Sequence, residues 1–245
     1  MNKAAKIMGI SFPKFTMDQC LQILSDVAGR KKTELFHVVT GNPEIVMSCQ
    51  HDDELRGIID RAGLITADGI GIVMISRMRG GDLPERVTGC DLLIKLLETG
   101  DREKWSFYFL GADEPTSLKA AEVIARKHPN VSIAGRHHGF FKEEEEAKIV
   151  EEINAAAPDF LIVALGAPYA ERWIHKYRNS LNAKIAIGVG GSLDTIAGKV
   201  KRAPEIWRKI HLEWLFRLIK QPSRWRRQLI LPRFAVRALF YREKS

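Results

Sequence analysis

Leu35-Phe36-His37-Val38-Val39-Thr40 predicts a buried strand, and Gly41-Asn42-Pro43 ends it. Proline suits the first turn of a helix, and residues 43–61 have helical character. The segment is therefore a strand, a tight turn and a helix in sequence. Apolar strands of the same kind recur along the chain, with Gly, Pro or Asn near their ends, at residues 64–66, 105–110, 131–134, 160–165 and 184–189.

Helical segments lie between these strands, at residues 115–127, 143–156 and 168–181. This alternation predicts an α/β fold with a mainly parallel, Rossmann-like sheet and helices on both faces. Ligands bind such sheets at the carboxyl ends of the strands. Six residues that follow predicted strands are therefore expected to converge on one cleft: Thr40, Asn42, Asp68, Gly111, Gly166 and Gly190.

Charge divides the 245 residues into two unequal parts. Residues 199–245 contain 14 lysines and arginines against 3 acidic residues, whereas residues 1–198 carry a net charge of −3. We predict a catalytic core over residues 1–194 and a basic helical appendage over residues 195–245. A basic segment of this kind implies a polyanionic partner, either an anionic membrane surface or a nucleic acid.

The appendage carries an amphipathic pattern that favours the membrane. Trp207, Ile210, Trp214 and Leu218 recur at helical spacing, and after Pro222 a second apolar and basic segment runs to Tyr241. Such helices lie in a membrane interface. No apolar run is long enough to span a bilayer and no signal peptide is evident, so the expected location is the cytoplasm, peripheral on the inner face of the plasma membrane. The alternatives are a helix packed on its own domain and a nucleic-acid-binding arm. An exposed apolar tail also favours self-association in solution.

Metal and disulfide chemistry have little support in the sequence. Cys20, Cys49 and Cys90 are widely spaced and odd in number, which indicates buried, reduced thiols. His137-His138 has no third ligand nearby in sequence, and no Asp-x-Asp occurs that would hold a metal–diphosphate complex. We therefore expect neither a metal nor a cofactor.

Three loops carry the candidate chemistry. Asp68 lies in Ala67-Asp68-Gly69-Ile70-Gly71, and a carboxylate beside a glycine turn can serve as a base. Arg86 lies in the next loop and can hold phosphate oxygens, while Gly190 and Gly191 follow a strand and suit a close approach to a diphosphate or a sugar. Together they indicate a phosphorylated or nucleotide-linked substrate. The plainer alternatives are turn and capping residues and a surface ion pair.

The motifs in their order along the chain resemble the WecG/TagA/CpsF family of bacterial glycosyltransferases. The resemblance covers nearly the whole chain and rests on Thr40-Gly41-Asn42-Pro43-Glu44, residues 67–71, residues 83–89, Gly188-Val189-Gly190-Gly191-Ser192, residues 198–204 and residues 213–218. It implies an inverting transferase that moves N-acetylmannosamine, or a related sugar, from a UDP donor to undecaprenyl-diphosphate-linked N-acetylglucosamine through a β-1,4 bond. The product would enter wall teichoic acid, enterobacterial common antigen or capsule synthesis.

The resemblance also implies roles for individual residues. Asp68 would be the general base, Thr40 and Asn42 would line the donor-sugar pocket, and Arg86 would bind substrate. The family's C-terminal appendage carries arginines that fold over the site at the membrane, and Arg217, Arg224 and Arg227 match them. These three side chains would stabilise the leaving UDP in place of a metal.

One residue departs from the family pattern. The family usually has Pro-Lys-Gln-Glu where this chain has Pro168-Tyr169-Ala170-Glu171, and an alanine cannot hydrogen-bond a sugar hydroxyl. The donor therefore stays open between N-acetylmannosamine, another hexose and a hexosaminuronic acid. Two rival functions are a nucleic-acid-binding protein with a basic arm and a nicotinamide-dependent oxidoreductase. The oxidoreductase is disfavoured because Met74 stands where the third glycine of the dinucleotide motif belongs.

Overall fold

A computed structural model describes residues 4–31, 34–204, 207, 213–220, 225 and 229–243, without the side chains of Arg217 and Lys220. Two strands, β1 (Ala5–Ile7) and β2 (Ile10–Phe12), form an antiparallel hairpin. The main sheet contains six strands: β3 (Phe36–Gly41), β4 (Leu64–Ala67), β5 (Ser106–Gly111), β6 (Ser132–His137), β7 (Phe160–Ala164) and β8 (Ile185–Gly188). Their order is β4-β3-β8-β7-β5-β6, and every neighbouring pair is parallel. The predicted fold class is confirmed.

Helices cover both faces of this sheet. They are α1 (Met17–Ala28), α2 (Pro43–Ser48), α3 (Asp53–Asp60), α4 (Ile70–Met78), α5 (Gly89–Glu103), α6 (Glu114–Lys127), α7 (Glu146–Ala156), α8 (Tyr169–Tyr177), α9 (Ser192–Ile196), α10 (Glu213–Lys220) and α11 (Ile230–Phe240). Helices α1, α5 and α6 pack on one face, around Phe107 and Ile187. The other face packs against α7 and α8 around Leu161, and against α2, α3 and α4 around Val39. Because both faces are covered, the central strands are almost wholly apolar.

The predicted single helix over residues 43–61 is wrong, because the structure contains α2 and α3 in its place. The chain leaves the helix after Ser48, and the Asp52 side chain then accepts a hydrogen bond of 2.9 Å from the Leu55 amide. Aspartate is favoured at the residue before a helix and disfavoured inside one. Here the Asp52 oxygen accepts from the Leu55 amide, which has no partner within the helix, and a new helix begins.

Helix α11 shows that the end of the basic appendage is packed on the core. Phe234 and Ala238 are fully buried in the same cluster as the hairpin, α2 and α4. Just beyond the helix, the Glu243 carboxylate accepts a 2.8 Å hydrogen bond from the Gly9 amide and lies 3.7 Å from the Arg79 guanidinium. The division of the chain at residue 194 stays a prediction, but its two parts share one hydrophobic core at α11.

Phe234→Ala is expected to lower the free energy of unfolding by about 3 kcal/mol, because the substitution leaves a cavity in this cluster. Urea unfolding followed by circular dichroism measures the change. Phe240→Ala is the matched control, since Phe240 lies on the same helix but is 82% exposed. An equal effect of the two substitutions would contradict the packing of α11.

Candidate active site

Asp68 lies where the carboxyl ends of β3 and β4 meet the start of α5. Its amide donates a 2.9 Å hydrogen bond to the Gly41 carbonyl, which fixes the turn after β4 beside the end of β3. Its Oδ2 accepts a 3.2 Å hydrogen bond from the amide of Gly89, the first residue of α5. The amino end of a helix is electropositive and suits a carboxylate. These two backbone contacts help to hold the half-buried Asp68 in place.

Glycines permit this close packing. Gly69 has φ +112°, a conformation that disfavours residues with a side chain, and it turns the chain from β4 into α4. At Gly89 a Cβ would stand 3.2 Å from Thr40 Cγ2 and 3.4 Å from Val189 Cα. Helix α5 therefore begins directly against the ends of β3 and β8, which brings its first amide to Asp68.

Thr40 and Asn42 both lie at the end of β3, and both make local hydrogen bonds. Thr40 is 6% exposed, and its hydroxyl donates a 2.9 Å hydrogen bond to the Gly188 carbonyl, which ties β3 to β8. The Asn42 Oδ1 caps α2 by accepting from the Ile45 amide at 3.0 Å. The Asn42 side chain also carries an amide nitrogen, a hydrogen-bond donor. Their contact with a donor sugar stays a prediction.

Arg86 lies in an ion-pair network at the same edge of the sheet. Its Nη1 is 3.3 Å from Glu213 Oε2 on α10, and its Nη2 is 3.9 Å from Asp91 Oδ2 in the first turn of α5. Asp91 also accepts a 2.7 Å hydrogen bond from the Thr88 hydroxyl and pairs with Arg202. The sequence left open whether Arg86 forms a simple surface ion pair. Its side chain does form ion pairs, but it is only 16% exposed, and one of its partners lies in the appendage.

Gly190 and Gly191 form the loop after β8. A Cβ on Gly190 would have no described atom within 4 Å, so the loop faces open space on that side. The Ser192 hydroxyl donates a 2.6 Å hydrogen bond to the Val189 carbonyl and closes the turn. This exposed backbone at the carboxyl end of a central strand leaves room for a ligand to approach closely.

The side chains of the three appendage arginines lie outside the described part of the structure. Arg217 lies on α10, four residues after Glu213, but its side chain is outside the described part of the chain. Arg224 and Arg227 both lie outside the described residues. Their predicted contact with the leaving diphosphate therefore stays a prediction.

Glu171 is a buried acid that the sequence analysis did not single out. It is 1% exposed on α8, and its Oε1 lies so close to Gly188 that a Cβ there would be 2.6 Å away. Its Oε2 has no hydrogen-bond partner among the described residues. Burial raises the pKa of Glu171 to about 7, and the neighbouring Glu44 carboxylate adds to the increase. Ala170, beside it, is also buried, so the residue that replaces the family glutamine packs in the core.

This raised pKa predicts a stability that falls as the pH rises. Unfolded Glu171 releases its proton near pH 4.5, whereas the folded protein keeps that proton up to about pH 7. Glu171→Gln removes this dependence, so the variant should gain stability relative to the wild type, on the order of 3 kcal/mol, between acid and neutral pH. Urea unfolding at several pH values measures it, with Glu151→Gln at an exposed site as the control. Parallel pH profiles of wild type and Glu171→Gln would contradict the assignment.

No group of three His, Cys, Asp or Glu side chains within the described ranges is arranged to hold a metal ion. His137 and His138 lie at the end of β6 with ring centroids 4.6 Å apart. The three cysteines are buried and free, as predicted.

None of the helices in the described part of the chain is long and apolar enough to cross a membrane.

Comparison with known proteins identifies the family of the chain. Residues 5–245 match the model of the glycosyl transferase WecG/TagA/CpsF family. An N-acetylglucosaminyldiphosphoundecaprenol N-acetyl-beta-D-mannosaminyltransferase of Bacillus spizizenii is 38% identical over 208 residues, which are 85% of this chain and 80% of the relative. The enzyme of that name from Staphylococcus aureus MW2 is 32% identical over 228 residues, 93% of this chain and 89% of the relative. The chain therefore belongs to the WecG/TagA/CpsF family and is a glycosyltransferase.

Proposed function

We propose that this glycosyltransferase moves N-acetylmannosamine from a UDP donor to undecaprenyl-diphosphate-linked N-acetylglucosamine and forms a β-1,4 bond. The observation that carries the proposal is the position of the Asp68 carboxylate. It lies at the end of β4, accepts a hydrogen bond from the Gly89 amide, and its loop is followed along the chain by the loop of Arg86. The names of the relatives support the lipid-linked acceptor and the N-acetylmannosaminyl group, whereas the UDP carrier and the 1,4 linkage are inferred from the family resemblance. Family membership also disfavours the oxidoreductase and the nucleic-acid-binding protein.

Asp68 would serve as the general base in a direct displacement. The acceptor hydroxyl gives its proton to the Asp68 carboxylate, and its oxygen forms a bond to the anomeric carbon of the donor. The bond from that carbon to the UDP oxygen breaks, and its electron pair leaves on the β-phosphate. Because attack and departure occur on opposite sides, the configuration at the anomeric carbon is inverted.

Arginine and backbone would stabilise the leaving UDP without a metal. Arg86 is a cation held in the loop next to that of Asp68, and the space beside Gly190 would allow a diphosphate to come close. Arg217, Arg224 and Arg227 would add positive charge when the appendage closes over the substrate. Guanidinium groups bind phosphate oxygens through two parallel hydrogen bonds, which fits charge that develops on the β-phosphate.

A peripheral site on the anionic inner face of the plasma membrane would give access to the lipid acceptor. Helix α11 exposes Val236, Leu239 and Phe240, and exposed Arg233 and Arg237 lie on the same helix. Apolar side chains enter the interface, and each nearby arginine adds about 1 kcal/mol of attraction to anionic lipid. The product would then enter wall teichoic acid, common antigen or capsule synthesis.

UDP release from a panel of UDP-sugars tests the proposal. The panel contains UDP-N-acetylmannosamine, the corresponding uronic acid and other hexoses, each with and without a lipid-diphosphate-linked N-acetylglucosamine. We expect acceptor-dependent release with UDP-N-acetylmannosamine. Release with another donor alone would move the assignment to that sugar. Absence of release with every donor would contradict the function.

A further inference from the structure

The acidic residues of the basic appendage also make ionic contacts with the core, beside the pairs that its Lys199 and Arg202 form with Asp113 and Asp91. Only three of its residues are acidic: Glu205, Glu213 and Glu243. Of these, the structure describes Glu213 and Glu243, and each faces an arginine of the core, Arg86 and Arg79 respectively. In a segment with 14 basic residues, these two carboxylates are placed where a basic side chain would be repelled.

Glu213 makes the more buried of the two attachments. The residue is 8% exposed, and its Oε2 lies 3.3 Å from Nη1 of Arg86, whose own side chain is 16% exposed. An ion pair this shielded from water is costly to break from one side, because the remaining charge stays buried without its partner. The second nitrogen of the guanidinium, Nη2, lies 3.9 Å from Asp91 Oδ2. Arg86 therefore stands between two carboxylates that come from different parts of the chain.

Asp91 alone is poorly suited to hold Arg86. Its Oδ1 pairs with Arg202, and its Oδ2 already accepts a 2.7 Å hydrogen bond from the Thr88 hydroxyl. Its distance to Arg86 is also beyond that of a hydrogen bond. The direction in which the guanidinium points is therefore set mainly by Glu213.

The loop that carries Arg86 is joined directly to the loop of Asp68. The Val87 amide donates a 2.9 Å hydrogen bond to the Ala67 carbonyl, and the Gly89 amide donates to Asp68 Oδ2. The backbone on the carboxyl side of Arg86 is thus fixed beside the candidate base. A contact that fixes the Arg86 side chain as well sets the position of a cation relative to Asp68.

We propose that Glu213 is a positioning residue, which holds the Arg86 guanidinium in place for the donor diphosphate and so couples docking of the appendage to donor binding. The inference rests on the proposed function. A guanidinium has five N–H groups in a rigid plane, so one carboxylate can fix its orientation while other N–H groups remain for phosphate oxygens. Glu213 would act on the substrate through Arg86 and would not touch it.

Four proteins test this role: Glu213→Gln, the control Glu243→Gln, Arg86→Lys, and the double variant Glu213→Gln with Arg86→Lys. Glu243→Gln removes the same charge from a different ion pair between the appendage and the core, the pair with Arg79. The readouts are KM for the UDP-sugar and kcat from UDP release, together with Kd for UDP from calorimetry. Calorimetry is independent of the donor sugar and the acceptor. Thermal unfolding reports the folding of each variant.

We expect Glu213→Gln to raise both the donor KM and the Kd for UDP by about tenfold, with a much smaller change in kcat, since the hydrogen bond from Arg86 loses its charged acceptor and weakens. Glu243→Gln should leave both values close to those of the wild type. Adding Glu213→Gln to Arg86→Lys should cause little further loss, because the guanidinium that Glu213 positions is already absent.

Several results would overturn the inference while leaving the transferase intact. These are an unchanged KM in Glu213→Gln, an equal loss in Glu243→Gln, and independent losses in the double variant. Tighter donor binding by Glu213→Gln would also overturn it, because Glu213 would then compete with the diphosphate for Arg86. A wild type that neither binds nor releases UDP would instead contradict the proposed function.

Discussion

Asp68→Asn is expected to lower acceptor-dependent UDP release by about 10³-fold, because asparagine cannot take the proton of the acceptor hydroxyl. The substitution keeps the size and shape of the side chain, and an amide oxygen can still accept the hydrogen bond from Gly89. Folding and UDP binding should therefore be nearly unchanged. Loss of turnover with intact UDP binding separates a role in the chemical step from a role in holding the donor.

Steady-state UDP release and calorimetry with UDP measure the two effects on the same protein samples. Asp60→Asn provides the control, since Asp60 is exposed on α3 and forms an ordinary ion pair with Arg56. Turnover of Asp68→Asn within a few-fold of the wild type would remove Asp68 from the role of base. Loss of UDP binding in Asp68→Asn would indicate that the carboxylate organises the donor site.

Val236→Ser combined with Phe240→Ser is expected to weaken binding to anionic vesicles by about 100-fold. The two side chains are 59% and 82% exposed and lie four residues apart on α11, so they form one apolar face that would enter the membrane interface. Withdrawing a valine and a phenylalanine from that environment costs about 3 kcal/mol. Stability in solution should change little, because neither side chain is buried.

Vesicle sedimentation with and without anionic lipid measures this binding. Leu118→Ser is the control, because Leu118 is also an exposed apolar residue but lies on α6, in the predicted catalytic core and outside the appendage. The double variant should also lose activity on a lipid acceptor in vesicles while keeping its activity on a short-chain, water-soluble acceptor. Unchanged sedimentation of the double variant would contradict the proposed role of α11.

The strands of the main sheet were predictable because they are apolar runs that end at turn residues. Phe36–Gly41 and Leu64–Ala67 lie within a residue or two of their predicted positions, and their parallel arrangement places Thr40, Asn42 and Asp68 at the same end of the two strands. The break between α2 and α3 was missed, since Asp52 resembles any solvent-facing helical residue until its side chain is seen to cap Leu55.

Contacts between distant parts of the chain were not predictable. Glu171 lies in the first turn of α8, where acidic residues are common, and its burial depends on how α8 packs over Gly188. The pairing of Arg86 with Glu213 joins residues 127 positions apart, and an acid within a basic segment gives no indication of its partner. The roles of Asp68 and Arg86 came from the family resemblance, because an aspartate in a turn and an arginine in a loop are individually common.

The most direct test of the account is the structure of the product that the wild type makes from UDP-N-acetylmannosamine and lipid-diphosphate-linked N-acetylglucosamine. Mass spectrometry gives the number of sugars added, and the one-bond carbon–proton coupling at the new anomeric carbon gives its configuration. We predict addition of a single N-acetylhexosamine in a β-1,4 linkage, as expected for one displacement with Asp68 as the base. An α-linked product, or hydrolysis of the donor without transfer, would contradict the account.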